Sequence, residues 1–224
     1  MTKISKRLTA AGEAVRHGAR IADVGTDHAL LPIFLYETGR IVGGVASDIN
    51  RGPLERARAN LSAAGLSDKM DTVLCDGLSA LESYAPTDIL ILGMGGDLIA
   101  SILGAAPWIR RDGIRLILQP MTHPETVRFW LAANGFSLAR ESVVLEDKLY
   151  QIIAADYTGE VTELTEAEAL LGPLNLKRGG ELTAALCRRY EEVFVRRMEG
   201  KASAGLDTAE EERMLGDIRS YLEP

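Results

Sequence analysis

Short apolar runs alternate with amphipathic stretches along the first two thirds of the chain, and this alternation constrains the fold most. Five runs are predicted to be strands, at 18–25, 41–48, 71–76, 87–93 and 114–119. The clearest helix between them spans 53–64, where Pro53 suits the first turn and Gly65 suits the end. Strands that alternate with helices of this length form βαβ units, which build a parallel sheet covered by helices on both faces.

The pattern changes after residue 135. Two extended runs, 136–145 and 148–156, are separated by little more than Glu146 and Asp147, so no crossover helix fits between them. They are predicted to pair antiparallel as a hairpin. A doubly wound α/β sheet that closes on a hairpin is a more specific topology than a general Rossmann-like fold.

Beyond residue 160 the strand signal is lost. Thr165 and Glu168 form a capping-box pattern at the start of a short helix. The stretch 181–199 repeats an apolar residue every fourth position, a loop is predicted at 200–205, and a last amphipathic helix follows Asp207. Two such helices joined by a short loop form an antiparallel α-helical hairpin. We therefore expect two units, 1–159 and 160–224.

Composition excludes several classes of protein. Two cysteines in 224 residues exclude a disulfide scaffold, an all-cysteine zinc site and a cysteine-ligated iron–sulfur cluster. His17, His28 and His123 show no ligand spacing, so no metal is expected. No apolar run approaches the roughly 20 residues of a membrane span, and no signal peptide is visible, so a cytoplasmic location without membrane contact is expected. The net charge of −7 disfavours general affinity for nucleic acid.

Acidic and glycine-containing turns follow four of the predicted strands. Ligands of open α/β sheets bind beyond the carboxyl ends of the strands, so these turns are expected to line one crevice. Singly, each turn is also an ordinary turn or a helix N-cap, but together and in order they predict a nucleoside cofactor. The four turns are Asp23-Val24-Gly25-Thr26-Asp27-His28, Asp48-Ile49, Asp76-Gly77 and Gly93-Met94-Gly95-Gly96.

The expected cofactor is S-adenosylmethionine rather than NAD. An acid after the second strand, here Asp48, accepts hydrogen bonds from ribose hydroxyls in either case. The turn after the first strand does not continue as G-x-G-x-x-G, and its carboxylates, Asp23 and Asp27, would repel a pyrophosphate. S-adenosylmethionine has no phosphate, and carboxylates attract its sulfonium and ammonium groups. Asp76 is placed to bind the adenine edge, and the terminal hairpin is also typical of methyltransferases that use this cofactor.

Five runs of the sequence resemble those of the bacterial TrmK family: 22–29, 47–54, 76–78, 93–96 and 116–120. The resemblance spans nearly the whole chain, and Gly-Met-Gly-Gly together with Gln-Pro is its most specific part. It implies a class I S-adenosylmethionine-dependent methyltransferase domain followed by a helical hairpin of coiled-coil type. It also implies methyl transfer to N1 of adenine 22 in the D-arm of tRNA. Leu30 stands where the family commonly has an aromatic residue.

The resemblance and the strand ends together define the expected site. The catalytic candidates are Asp27 and His28. N1 of neutral adenine is already nucleophilic, so catalysis is expected to be positioning plus a carboxylate, Asp27, that stabilises the cationic product. Asp27 as a helix N-cap and His28 as a structural residue remain open alternatives. The expected cofactor-binding residues are Asp23, Gly25, Thr26, Asp48, Ile49, Asp76, Gly77, Gly93, Met94 and Gly95.

Arg7, Gln119, Pro120 and Arg128 are the expected substrate-binding residues. The Gln119 amide either pairs with the adenine edge or satisfies a turn. N1 lies on the Watson–Crick edge, so the target adenine must be unpaired or extruded. Basic residues are expected to bind tRNA near the start of the chain, beside the catalytic face, or on the C-terminal helices, where a solvated face is the alternative. These residues are Lys3, Lys6, Arg16, Arg20, Lys177, Arg178, Arg188, Arg189, Arg196, Arg197 and Lys201.

Three other functions stay open on the sequence. One is S-adenosylmethionine-dependent methylation of another RNA or a small molecule. A second is an NAD-dependent oxidoreductase, which the missing G-x-G-x-x-G disfavours. A third is a non-catalytic RNA-binding or partner-binding protein that uses the helical hairpin, although no obligate protein partner is evident.

Overall fold

The computed structural model describes residues 2–222 of the chain. All seven predicted strands are present, and their ends differ from the prediction by at most two residues. The strands are β1 (Ala19–Val24), β2 (Ile41–Asp48), β3 (Met70–Leu74), β4 (Asp88–Met94), β5 (Arg115–Pro120), β6 (Phe136–Leu145) and β7 (Leu149–Tyr157).

Helices connect the strands and form the C-terminal part. The first of them was not predicted, because the residues that it buries, Ala11, Gly12 and Ala14, are small. Ser5 caps this helix by accepting a hydrogen bond from Leu8 N. The helices are α1 (Lys6–Ala14), α2 (Leu30–Glu37), α3 (Arg51–Ala63), α4 (Gly96–Gly104), α5 (Pro124–Ala133), α6 (Glu166–Leu171), α7 (Pro173–Arg178), α8 (Glu181–Ser203) and α9 (Ala209–Ser220).

The strands form one sheet in the order β3-β2-β1-β4-β5-β7-β6. Strands β1 to β5 are mutually parallel, whereas β7 runs antiparallel to both β5 and β6. The predicted doubly wound sheet with a terminal hairpin is therefore confirmed. This order places the carboxyl ends of the five parallel strands along one edge, and β1 and β4 lie adjacent where the strand order reverses.

Neighbouring residues of the central strands are buried on opposite faces of the sheet. Ile21 and Leu90 pack under the α1, α2 and α3 side, whereas Ala22 and Ile91 pack under the α4 and α5 side, and all four are fully buried. Burial on both faces explains why these strands are continuously apolar instead of alternating. The rigid two-sided core fixes the strand ends and, with them, the turns that follow.

The residues after 160 pack directly on the terminal hairpin. A third apolar cluster joins Val143 of β6 to Leu171, Leu186, Phe194 and Ile218 of the C-terminal helices. The predicted capping box at α6 is present, since Thr165 Oγ1 accepts from Glu168 N at 3.1 Å and Glu168 Oε2 accepts from Thr165 N at 2.9 Å.

Helices α8 and α9 form the predicted antiparallel hairpin. Lys201 pairs with Glu211 at 2.7 Å at one end, and Arg219 pairs with Glu191 at 2.7 Å further along. The loop begins later than predicted, because α8 continues through the exposed Gly200 to Ser203. A glycine costs a helix interior only about 1 kcal/mol, which the neighbouring turns offset.

Candidate active site

A cavity of about 300 Å³ opens at the carboxyl ends of β1 and β4. Its walls come from α1, from the turn between β1 and α2, and from the end of β4. A larger cavity of about 420 Å³ lies between α5 and the C-terminal helices, away from the acidic strand ends. The residues that line the smaller cavity are Arg7, Leu8, Asp23, Val24, Gly25, Thr26, Asp27, His28, Ala29, Leu30, Leu31, Leu92 and Gly93.

Asp23 is the buried acid of this cavity, with only 8% of its surface exposed. Burial raises the pKa of its carboxyl group to about 6, although a hydrogen bond with the Thr26 side chain opposes the shift. No basic group in the described part of the chain pairs with it. A carboxylate in this environment is stabilised by a bound cation, which supplies the missing counter-charge.

The turn after β1 is held tightly against the end of β2. The backbone N–H groups of Gly25 and Thr26 both donate to Ser47 O at 2.9 Å. Gly25 has a φ of +75°, and a Cβ at this position would lie 2.3 Å from Met94 Cε. The positive φ favours glycine here, and the absence of a side chain leaves room for the end of the Met94 side chain against the turn.

Asp27 and His28 are in contact on the outer side of the same turn. Asp27 accepts from Arg56 at 2.7 Å, and its other oxygen lies 3.1 Å from His28 Nε2. The hydrogen bond from Arg56 holds the pKa of the Asp27 carboxyl below its usual value, so the group is ionised at neutral pH. The N-cap of α2 is Ala29, which has no side-chain cap, so the alternative that Asp27 caps this helix is wrong.

The acids after β2 and β3 lie further along the same edge of the sheet. Asp48 is half-buried and accepts from Asn50 N at 2.7 Å, and the N-cap of α3 is Asn50. Ile49 beside it is 61% exposed and offers an apolar surface. Asp76 is exposed, and Gly77 follows with a φ of +51°. This part of the sheet edge combines two carboxylates, Asp48 and Asp76, with the apolar side chain of Ile49, as a nucleoside site requires.

The glycine-rich turn after β4 forms the other wall. Gly93 has a φ of +77°, and Met94 O accepts from Met121 N at 2.8 Å, which ties the turn to the end of β5. A Cβ at Gly96 would lie 2.0 Å from His123 O, so Gly96 permits close packing of the two loops.

Three protein groups converge at the end of β5. Arg7 Nη1 donates to Gln119 Oε1 at 2.5 Å, and Gln119 Nε2 donates to Pro120 O at 2.9 Å. The Arg7 guanidinium also lies over the ring of Tyr150, 5.4 Å from its centre. The side chain of Arg7 is thereby fixed at the rim of the cavity.

Comparison with known proteins decides the family. A methyltransferase domain family matches residues 4–153. A Bacillus subtilis protein named tRNA (adenine(22)-N(1))-methyltransferase is 32% identical over 196 residues, which are 87% of this chain and 79% of the relative. The chain belongs to the TrmK family.

Solved structures of TrmK proteins share the whole architecture. The crystal structure of Bacillus subtilis TrmK has a TM-score of 0.84 and 29% identity, over 98% of this chain and 96% of that chain. A Streptococcus pneumoniae structure, a putative tRNA (m1A22) methyltransferase in complex with S-adenosyl-L-methionine, has a TM-score of 0.87 and 32% identity over 99% and 100%. The predicted class I methyltransferase fold with a C-terminal helical extension therefore holds along the chain's length.

Two of the residues predicted to bind substrate do not reach the surface of this TrmK protein. Gln119 is fully buried, and Pro120 is buried beside it. The prediction that the Gln119 amide pairs with an adenine edge is therefore wrong. The amide is instead hydrogen-bonded inside the protein, to Arg7 and to the backbone of Pro120.

The prediction that Arg128 binds substrate is also wrong. Its side chain is fully buried and donates to Glu141 at 2.6 Å, to Gln151 at 2.7 Å and to Ala169 O at 2.8 Å. Glu141 is fully buried as well, and its second oxygen accepts from Leu174 N at 2.8 Å. The network joins α5 to the terminal hairpin and to α6 and α7, so Arg128 has a structural role.

The basic residues near the start of the chain do not form one patch. Arg16 pairs with Asp88 at 2.6 Å, and Arg20 donates to Tyr84 O, both at the amino end of the parallel strands. These two arginines therefore lie away from the catalytic edge. Lys6 and Arg7 lie at that edge, where Lys6 N donates to Glu146 at the tip of the β6–β7 hairpin.

Three residues that contact the site were not predicted. Arg56 pairs with Asp27 from α3, 29 positions along the chain, and Asn60 from the same helix donates to His28 O at 2.9 Å. Tyr150, which flanks Arg7, belongs to the hairpin. Each of these contacts is made by an element remote in sequence, so local patterns carry no signal for it.

Residues 2–222 include no cluster of three or more His, Cys, Asp or Glu side chains suited to a metal ion. Among the same residues, no helix is both long and apolar enough to cross a membrane.

Proposed function

We propose that this protein transfers a methyl group from S-adenosylmethionine to N1 of adenine 22 in the D-arm of tRNA, in the cytoplasm. The observation that carries the proposal is the cavity at the ends of β1 and β4, where the buried carboxyl group of Asp23, which has no basic partner within residues 2–222, lies behind a glycine turn. This environment suits a cationic donor and is unfavourable for the pyrophosphate of a dinucleotide.

The residues present fit the donor along its whole length. Asp23, Gly25 and Thr26 would hold the cationic methionyl end, and Asp48 would accept hydrogen bonds from the ribose hydroxyls. Ile49, with its exposed apolar side chain, and the Asp76-Gly77 turn would hold the adenine. Gly93, Met94 and Gly95 close the remaining side, and Gly25 leaves room there that a Cβ would fill.

S-adenosylmethionine, when bound, supplies an electrophilic methyl group on a sulfonium. The protein holds the target adenine so that its N1 lone pair points at this group, and no base is required before attack. Asp27, ionised and on the open side of the turn, is proposed to stabilise the positive charge that the base acquires. His28 contacts Asp27 and is proposed to orient the carboxylate toward the base.

The tRNA is proposed to approach across the carboxyl edge of the sheet. Exposed basic side chains gather there from three elements: Lys6 at the start of α1, Lys148 at the hairpin tip and Arg189 on α8. Arg189 donates to Leu149 O at 3.2 Å, which places α8 beside the hairpin tip. A local basic rim lets an acidic chain attract the phosphates of RNA.

The experiment is methyl transfer from labelled S-adenosylmethionine to a tRNA transcript that carries A22, with the same transcript carrying G22 as the matched control. The expected result is label on the A22 transcript alone, recovered as N1-methyladenosine after nucleoside digestion. Label at another nucleotide, or equal label on both transcripts, would refute adenine 22 as the methylated nucleotide. Stabilisation of the protein by NAD but not by S-adenosylmethionine in a thermal-shift assay would refute the cofactor.

A further inference from the structure

Four basic side chains lie together along the outer edge of the sheet, away from the cavity at the strand ends. Strand β6 is the last strand of the sheet, and a groove of about 650 Å³ lies between it and α7. Arg140 lines this groove from the strand, and Lys177 and Arg178 line it from the helix. Arg40, which precedes β2, donates to Glu13 O at 2.5 Å, and Arg140 donates to the same oxygen at 3.2 Å, so their guanidinium groups are neighbours. Arg40, Arg140, Lys177 and Arg178 are called the β6-edge patch below.

The positive charge of the β6-edge patch is largely uncompensated. Arg140 pairs with Glu13 at 2.8 Å, and among residues 2–222 this is the one ion pair that an acid forms with the patch. Glu141 also lines the groove, but its carboxylate is buried and paired with Arg128, and Arg178 donates to its backbone oxygen. One acid against four cations leaves a local excess of positive charge on a chain whose net charge is −7.

A structural role accounts for part of the β6-edge patch but not for Lys177. Arg40 and Arg140 donate to the carbonyl end of α1, as basic side chains do at the C-terminus of a helix. Arg178 satisfies a backbone oxygen of the edge strand. Lys177 is exposed, and within residues 2–222 it forms no hydrogen bond, ion pair or ring contact. Its ammonium group is therefore available to a ligand.

The arrangement of these charges fits a polyanion better than a single small anion. The three arginines are each bonded to backbone oxygens, so the cations are distributed along the groove instead of converging on one point. The backbone of RNA presents a phosphate at every nucleotide, which matches a row of separated cations.

Strand β6 connects the β6-edge patch to the catalytic edge. Arg140 and Leu145 are five positions apart on this strand, and at roughly 3.4 Å per residue they are about 17 Å apart. Leu145 adjoins the hairpin tip, where Lys6 N donates to Glu146 and where Lys148 is exposed. An RNA bound at the catalytic edge therefore reaches the patch only with nucleotides that are remote from the target base.

We propose that the β6-edge patch binds backbone phosphates of the tRNA at a distance from the target adenine. This inference rests on the proposed function and adds a second contact surface to it. The surface combines Lys177 and Arg178 from the C-terminal helices with Arg40 and Arg140 from the methyltransferase unit. The tRNA is thereby held across both units while its adenine is presented to the catalytic edge.

The test is binding of a full-length A22 tRNA transcript to the full-length protein, measured by fluorescence anisotropy at several salt concentrations. Lys177→Gln is expected to weaken binding at least about threefold and to lower the slope of log K against log salt by about one, because one phosphate contact is lost. Lys177→Gln combined with Arg140→Gln should lower the slope by about two. Lys177→Arg keeps the charge and should bind within about twofold of the wild type.

Two controls separate loss of a phosphate contact from other effects. Arg111→Gln removes an exposed charge beside Trp108, outside the patch, and should leave both the affinity for tRNA and the slope unchanged. The affinity of Lys177→Gln for S-adenosylmethionine, measured by calorimetry, should stay within about twofold of the wild-type value, because the patch is remote from the cavity.

An unchanged affinity and slope in Lys177→Gln would overturn the assignment of the patch. A weakened affinity with an unchanged slope would also overturn it, as would an equal loss in Arg111→Gln or in Lys177→Arg. None of these results touches the proposed function, which stands if the wild-type protein methylates the A22 transcript. A wild-type protein that loses tRNA affinity as expected in Lys177→Gln but does not methylate A22 would refute the proposed function alone.

Discussion

Replacement of Asp23 by asparagine is expected to stabilise the protein while weakening its affinity for the donor. Burial moves the pKa of this carboxyl from 3.8 to about 6, a shift of about two units. At 1.36 kcal/mol per unit, this shift lowers the free energy of unfolding of the ligand-free protein at pH 7.5 by roughly 3 kcal/mol, compared with a carboxyl group whose pKa does not change on folding. Asparagine is nearly isosteric and pays no such cost, so Asp23→Asn should raise Tm by roughly 6 to 12 °C.

The stability difference between Asp23→Asn and the wild type depends on pH in a defined direction. Because the folded-state pKa is raised, the folded protein binds more protons than the unfolded chain between about pH 4 and 6. The stabilising contribution of protonated Asp23 is therefore complete below this window and is lost as the pH rises through it. The Tm difference between Asp23→Asn and wild type should be large at pH 7.5 and small near pH 4.

Differential scanning calorimetry at both pH values measures this difference, and titration calorimetry at pH 5 and 7.5 measures donor affinity. Wild-type affinity for S-adenosylmethionine should fall as the pH drops below about 6, because the ligand ammonium requires the ionised carboxylate. The affinity of Asp23→Asn should be weak and independent of pH over that interval. A destabilised variant at pH 7.5, or a wild-type affinity that does not change with pH, would refute the reasoning.

Three further changes test the site and its support. Asp27→Asn should lower kcat for tRNA methylation at least about tenfold with the Kd for the donor unchanged, and equal kcat values in single-turnover assays would remove Asp27 from the mechanism. Arg128→Met should lower the free energy of unfolding, measured by urea denaturation, by about 3 to 5 kcal/mol, because it leaves Glu141 buried without its partner. The double variant Arg128→Met with Glu141→Leu should recover most of this loss. A double variant that is no more stable than Arg128→Met would contradict the account. Gly25→Ala should weaken donor binding at least about tenfold, since its Cβ would displace Met94, and calorimetry checks this.

The strands could be predicted because their signals are local. Five apolar runs and one tight turn between extended segments are visible within windows of ten residues. The parallel order then brings the ends of those runs to one edge, which is why the position of Asp23, Asp48 and Asp76 along that edge could be predicted without any knowledge of contacts. α1 was missed because the residues it buries are small.

The errors concern side chains whose partners are remote in the sequence. Arg128 is basic and lies on a helix, so a surface role is the default, but Glu141, Gln151 and the backbone of Ala169 enclose it. For Gln119, in contrast to Arg128, the sequence did contain a signal that the side chain is buried. β5 is a central strand buried on both faces, and a polar residue there must hydrogen-bond inside the protein.

The buried network around Arg128 also determines the point during synthesis at which the fold can be completed. Arg128 is translated first, Glu141 follows 13 residues later, and the acceptor at Ala169 follows 41 residues after Arg128. A ribosome-bound chain that ends before α6 therefore buries a guanidinium without all of its acceptors or leaves α5 undocked. The methyltransferase unit should reach its final stability only after the first C-terminal helix has left the exit tunnel.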